Sequence, residues 1–151
     1  MTGEVIRQIL AATIGTFAFS VLFGVPRKYY PFCGMIGGIG WVVYLLPDQF
    51  GAVSASFAAT IAVVFLSRIT AIYEKCPVTV FLISGIFPLV PGSYVYWTAH
   101  YLVMNQVNLA AEKGYMAVKI AIAIVLGIVF VFEIPQKLFL SLPGIHGKRN
   151  R

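Results

Sequence analysis

Five apolar runs alternate with short polar or proline-containing breaks along the chain. The first covers residues 9–25 and is closed by Pro26, Arg27 and Lys28. The second and third, residues 30–46 and 50–66, are separated by only Pro47, Asp48 and Gln49, a spacing that predicts a tight helical hairpin, and Arg68 closes the third. The fourth runs over residues 78–104 and the fifth over residues 115–132. Each holds about 17 residues or more, enough to cross most of a hydrocarbon core about 30 Å thick. None is long enough for two crossings. The pattern predicts one all-α integral membrane domain over residues 1–151, with five transmembrane helices and a basic tail over residues 143–151.

Composition supports this reading. Of the 151 residues, 60% are hydrophobic and 11% charged, with a mean hydropathy of +0.89. A soluble domain carries about 25% charge, and so few polar residues cannot coat a water-facing surface. Five spans leave about 50 residues for loops and tails, too few for a soluble catalytic domain. The net charge of +6 would suggest a nucleic-acid partner in a soluble protein, but here the basic residues sit at the ends of apolar runs and set topology. Five crossings place Arg7, Lys113 and Lys119 on one side, and Arg27, Lys28, Arg68, Lys75, Lys137, Lys148, Arg149 and Arg151 on the other. The larger group marks the cytoplasmic face, which predicts an external N-terminus and a cytoplasmic C-terminus in the cell membrane. Cys33 and Cys76 then lie near the reducing side and are read as free thiols. Glu4 and Arg7 precede the first run and no small-residue cleavage site follows it, so that run reads as a retained span and not a signal peptide.

The end of the fifth helix admits two registers. If it continues to Leu142, Glu133 and Lys137 form an i,i+4 pair at the membrane boundary, where Glu133 could take part in proton coupling. If it stops near Phe132, the pair is an interfacial salt bridge of little energetic weight. Pro135 disfavours helix at Ile134, which supports the shorter register.

Small residues form stripes in the second and third spans. Gly34 and Gly38 share one face of the second span, and Gly51, Ala55 and Ala59 share one face of the third, beside Ser54, Ala58 and Ala62. The plain reading is close helix packing within the subunit. The alternative is a seam against a partner or the wall of a conduit.

The stretch Ser84-Gly85-Ile86-Phe87-Pro88-Leu89-Val90-Pro91-Gly92-Ser93 lies inside the fourth run. Pro88 and Pro91 remove two helix donors and should free the carbonyls of Ser84 and Phe87. Pro88 is about 15 Å along the helix from residue 78, half of a ~30 Å core, so the break falls near the midplane. The half-helix beginning at Pro91, Gly92, Ser93 and Tyr94 then presents free N–H groups with partial positive charge, which suit a carboxylate. Ser84 and Ser93 could add hydroxyl contacts. The plain alternative is a proline kink held by neighbouring helices. Tyr94 is the aromatic residue nearest the break, whereas Trp97 to Tyr101 read as an interfacial aromatic belt. His100 reads as an interfacial histidine, with proton coupling as the alternative. The acids Glu4, Asp48, Glu74, Glu112 and Glu133 all fall outside the span interiors. No metal-ligand cluster, nucleophile elbow, Walker motif or paired acids occur, so neither an enzyme nor a cofactor is expected.

The run Phe87-Pro88-Leu89-Val90-Pro91-Gly92 on a fourth hydrophobic segment resembles the Pro-Leu-Val-Pro-Gly signature of the threonine/serine exporter family. Over nearly its whole length the chain is similar to the small subunit of that family's split form, the counterpart of the C-terminal transmembrane half of single-chain exporters. Phe23-Gly24-Val25-Pro26, the Gly-rich stretch at residues 33–41, and Pro143-Gly144 before the basic tail add weaker support. The resemblance implies secondary export of small carboxylate-bearing metabolites, threonine and serine or a dicarboxylate such as succinate. It also implies a larger companion membrane subunit. The rival from another class is a noncatalytic scaffold that assembles a partner complex.

Overall fold

A computed structural model describes residues 2–46 and 51–135, and all of its regular structure is helical. The elements are α1 (Thr2–Leu22), α2 (Tyr30–Leu45), α3 (Gly51–Glu74), α4 (Thr79–Ile86), α5 (Gly92–Val103) and α6 (Val107–Phe132), with 3₁₀ turns at Arg27–Tyr29 and Phe87–Leu89. The basic tail, Lys137 and the Pro47-Asp48-Gln49 link fall outside the described residues.

Three helices end in the same way. Val25 N–H bonds to the Ser20 carbonyl, Cys76 N–H to Ala71 and Gln106 N–H to Tyr101, each closing a Schellman motif. The left-handed residue in each is Gly24, Lys75 or Asn105, at φ +66°, +55° and +57°. Pro26 and Pro77 follow two of these ends and prevent the helix from resuming. Pro31 sits in the first turn of α2, where its missing N–H costs nothing.

Gly3–Leu22, Gly51–Glu74 and Val107–Phe132 are long and apolar enough to cross a membrane. The pair Thr79–Leu89 and Gly92–Val103 meets the same test jointly, bent by 48°. α2, read from the sequence as a further span, has 16 residues and extends about 24 Å, less than a ~30 Å core. Helix boundaries also overrun the apolar runs: α1 begins at Thr2, α3 continues to Glu74 and α6 begins at Val107. Backbone hydrogen bonding extends helices past the point where side chains turn polar, because the intrahelical ladder does not need an apolar side chain. At the other end α6 stops at Phe132 with Glu133 as its C-cap, the shorter of the two registers.

In the bundle, α2 lies between α1 and α3, α4 packs across α2 and α3, and α6 covers the far side of α3. α5 packs on α6. The core joins Cys33 and Ile36 of α2, Ala59 and Val63 of α3, Phe81 of α4, and Ile120 and Ile124 of α6. Small residues permit this closeness. Gly34 and Gly38 face Thr13 of α1, Gly37 meets Thr16, and Gly85 approaches Ile36 and Val63 so closely that a Cβ there would lie 2.9 Å from Ile36 Cγ2. Ala55 and Ala59 are buried in α3. Gly51 is a different case: it opens α3 at φ +80° with open space around it, so its glycine serves the backbone turn and not the packing.

The hydroxyls in these contacts satisfy themselves. Thr16 donates to the Ala12 carbonyl at 2.8 Å and Thr60 to Ser56 at 2.7 Å. Gly37→Ala should therefore lower thermal stability in detergent through overpacking against Thr16, a cost of about 1–3 kcal/mol. Adding Thr16→Ala to the same chain removes the hydroxyl and methyl clashes but leaves the Cβ of residue 16 only 2.6 Å from the new Cβ, so it should recover part of the loss, which a comparison of the unfolding midpoints checks.

Candidate functional site at the broken helix

α4 ends because Pro88 and Pro91 cannot donate. The carbonyls expected to be free are not. Phe87 N–H donates to the Ser84 carbonyl, and Val90 N–H donates to the Phe87 carbonyl at 3.2 Å. The chain tightens into a 3₁₀ turn whose i→i+3 bonds replace the lost i→i+4 bonds. Val90 then turns extended at ψ 130°, and α5 starts at Gly92 in a new direction.

The N-terminus of α5 carries no side-chain cap. Gly92 N–H is turned back onto the Val90 carbonyl at 2.7 Å, and the first bond of helical type runs from Val95 to Pro91 at 3.1 Å. Ser93 and Tyr94 N–H therefore point out of the helix end without an intrahelical acceptor. Gly92 and Ser93 are exposed, Pro91 and Tyr94 half-buried. A Cβ on Gly92 would meet nothing within 4 Å. Tyr94 packs against the core, on the side of Tyr44 of α2. The arrangement presents backbone dipoles to open space, chemistry that holds an anionic oxygen by hydrogen bonds without a formal charge.

The two serines separate. Ser93 is exposed at the start of α5, whereas Ser84 is wholly buried on α4, its hydroxyl beside the Cys33 thiol and without a hydrogen bond of good geometry. Pro88 is half-buried in the 3₁₀ turn. His100 lies farther along α5 in an aromatic cluster, 5.3 Å from Trp97, 5.7 Å from Tyr101 and 6.2 Å from Tyr96 between ring centroids. Glu133 is exposed at the end of α6.

Sequence reasoning missed the role of Arg68. It reads as the residue that closes the third span, yet α3 continues past it and the side chain is only 6% exposed. One guanidinium nitrogen donates to the carbonyls of Val131 and Ile134, and the group lies 5.6 Å over the Phe132 ring. A cation thus sits at the negative end of the α6 dipole, adding a donor to the Val131 carbonyl, which also accepts from Ile134 N–H, and serving the Ile134 carbonyl beyond the helix. The missed signal was a basic residue followed by six more helix-compatible positions before Lys75. Arg68, Lys75 and Cys76 line a cavity of about 580 Å³ with Pro77 and Phe132.

Nearby, Lys28 Nζ bonds Glu74 at 2.6 Å and ties the loop after α1 to the end of α3. The hydrogen bond that Lys28 donates to the Glu74 carboxylate holds its ammonium pKa above the ordinary range. A raised lysine pKa makes the contribution full at neutral pH and lost only as pH climbs past that higher value. Burial pushes the Cys76 thiol up as well, so it is almost wholly protonated at neutral pH. Labelling by a maleimide should accelerate as pH rises above the ordinary thiol range. Cys33 is fully buried, and should react only after unfolding.

Residues 8–134 match the family described as Threonine/Serine exporter, ThrE. The chain belongs to that family, and with its apolar helices it is a multi-pass membrane protein of a transporter family and not of an enzyme family. It is also 29% identical over 96 residues to an uncharacterised protein of Haemophilus influenzae, a match covering 62% of this chain and 32% of that protein. The chain therefore spans about a third of that relative's length. No solved structure matches it.

Proposed function

We propose that this chain is one half of a two-component secondary exporter for small carboxylate-bearing metabolites, threonine and serine or a dicarboxylate such as succinate. The observation that carries the reading is the uncapped N-terminus of α5, opened by a 48° bend inside an apolar helix pair. Free N–H groups at such a break attract carboxylate oxygens, and lipid tolerates exposed backbone only where it lines a cavity or is buried in protein. Pro88, Pro91 and Gly92 shape the turn, Ser93 and Tyr94 supply donors, and Ser84 supports the turn from the α2 side. His100 and Glu133 are the candidates for proton coupling on this chain. The remaining walls come from a larger membrane subunit, in keeping with the match to only a third of a longer relative.

In this arrangement α2 completes a fifth crossing, the N-terminus is external and the C-terminus is cytoplasmic in the cell membrane. Cys76 reports the topology, since a membrane-impermeant maleimide should label it only after permeabilisation. Labelling in intact cells would reverse the orientation. The scaffold reading loses its main support, because the Gly34, Gly38, Ala55 and Ala59 stripes are consumed by packing inside the chain. Efflux of labelled threonine and succinate from loaded vesicles tests the function. Both subunits together should give flux, either alone should give background, and full flux from the companion alone would overturn the assignment.

A further inference from the structure

Arg68 and Lys75 both line the cavity of about 580 Å³ at the ends of α3 and α6, a volume within the range of ligand sites. The guanidinium carbon of Arg68 lies 5.6 Å over the Phe132 ring, and one of its nitrogens donates to the Ile134 carbonyl at 2.9 Å. Phe132 and Ile134 are themselves walls of the cavity, so this charge is fixed in the lining. Lys75 is exposed, in the left-handed region at φ +55°, a helix-ending position that glycine fills with less strain. Among the described residues no acid lines the cavity, and Glu74 is turned to Lys28 at 2.6 Å. A groove of about 650 Å³ adjoins it, sharing Ile134 and Pro135 as walls. The other sides of the groove are apolar: Phe57 of α3, and Leu126, Val129 and Phe130 of α6. Arg68 lies about 26 Å along α3 from Gly51, near the edge of a ~30 Å core, and Lys75 about 10 Å farther, at the depth of lipid headgroups.

We propose that this cavity and groove together hold an anionic phospholipid, its phosphate at Arg68 and Lys75 and one acyl chain along the groove between α3 and α6. Phosphate oxygens accept charge-assisted hydrogen bonds from guanidinium and ammonium groups, and a basic pocket between helix ends at a membrane surface selects anionic headgroups. A free anion would use the cavity alone, whereas an amphiphile uses both spaces. The chain's own segment after Pro135 has the wrong charge to fill a cationic cavity, since it carries Lys137, Lys148, Arg149 and Arg151 and no acidic side chain. Glu133 borders the groove and not the cavity, so its carboxylate keeps a phosphate from the groove end and directs it to the two cations. The site goes beyond the exporter reading and does not depend on what the chain exports.

The full chain in an uncharged detergent provides the test, with Cys76 as reporter, because it lines the cavity while Cys33 is fully buried. Dioleoylphosphatidylglycerol should slow maleimide labelling of Cys76 by about fivefold or more, since an occupied cavity shields the thiol. Dioleoylphosphatidylcholine, glycerol phosphate and inorganic phosphate at the same concentration should leave the rate nearly unchanged. Each variant is compared with itself without lipid, which cancels any direct effect of a substitution on the thiol. Lys75→Gly suits the left-handed backbone and should fold as wild type does, yet need about fivefold more phosphatidylglycerol for half-protection, the weight of one basic residue at an anionic surface. Val129→Trp, which fills the groove from an exposed position, should weaken protection without altering a charge. Equal protection by phosphatidylcholine would mean an apolar slot without charge selectivity, and protection by glycerol phosphate or inorganic phosphate a site for soluble anions. Either result, no protection by phosphatidylglycerol, or an unchanged half-protection point in either variant would overturn the proposal and leave the exporter reading untouched.

Discussion

Replacing Pro88 and Pro91 together with alanine should straighten the break and reduce export at least tenfold, with the chain still in the membrane at normal amounts. Each proline lacks an N–H, and the 3₁₀ turn at Phe87–Leu89 exists because the Ser84 and Phe87 carbonyls must find other donors. Alanine supplies the missing donors at both positions. It is also favoured in a helix interior by about 3 kcal/mol over proline. A continuous helix would reassign Ser93 and Tyr94 N–H to intrahelical carbonyls, leaving no donor for a solute. The double variant should be more stable than wild type and less active. That combination separates a solute site from a kink kept for packing, which would lose stability along with flux. Circular dichroism should show a small gain in helix, and efflux of labelled threonine or succinate should fall toward background.

Arg68→Ala should be the most damaging single change away from the break. The buried guanidinium donates to Val131 and Ile134 carbonyls and covers Phe132, so its removal takes away two charge-assisted hydrogen bonds at the end of α6 and opens the adjacent cavity. Hydrogen bonds to charged groups are worth about 1.5–3 kcal/mol each, and the pair suggests a loss of about 3 kcal/mol or more. The thermal midpoint in detergent should fall by several degrees, and proteolysis should begin near the α6 end. Arg68→Lys keeps the charge but loses the planar group that lies over Phe132 and should recover only part of the loss. A midpoint unchanged in Arg68→Ala would mean that the contact holds nothing in place.

What was legible in the sequence was whatever depends on local pattern. The apolar runs marked the helices, the paired prolines marked the break, and Gly24 before Pro26 marked the end of α1. Two kinds of feature were hidden. The first is compensation: proline arithmetic counts the carbonyls of Ser84 and Phe87 as orphaned, but the backbone tightened by one residue and satisfied both. The second is contact between distant segments. Nothing near Arg68 in the sequence says that it meets Val131, because that pairing depends on α3 running past the apolar stretch alongside α6. The same limit applied to the serines. Ser84 and Ser93 are close in sequence, yet the turn sends one toward Cys33 and leaves the other at the surface. Lengths were misread where charge interrupts apolarity, since Lys113, placed before the fifth run, lies inside α6. Lys119 extends over the Tyr115 ring at 4.2 Å, which lets a charged residue occupy an otherwise apolar helix.

The central claim is that the opened N-terminus of α5 holds the solute, and Gly92→Leu addresses it most directly. A side chain there meets no neighbour within 4 Å of its Cβ, so folding and assembly with the companion should survive while isobutyl bulk covers the free N–H groups. The initial rate of labelled threonine or succinate efflux from vesicles with matched protein amounts should fall at least tenfold. A rate equal to wild type would show that the solute passes elsewhere.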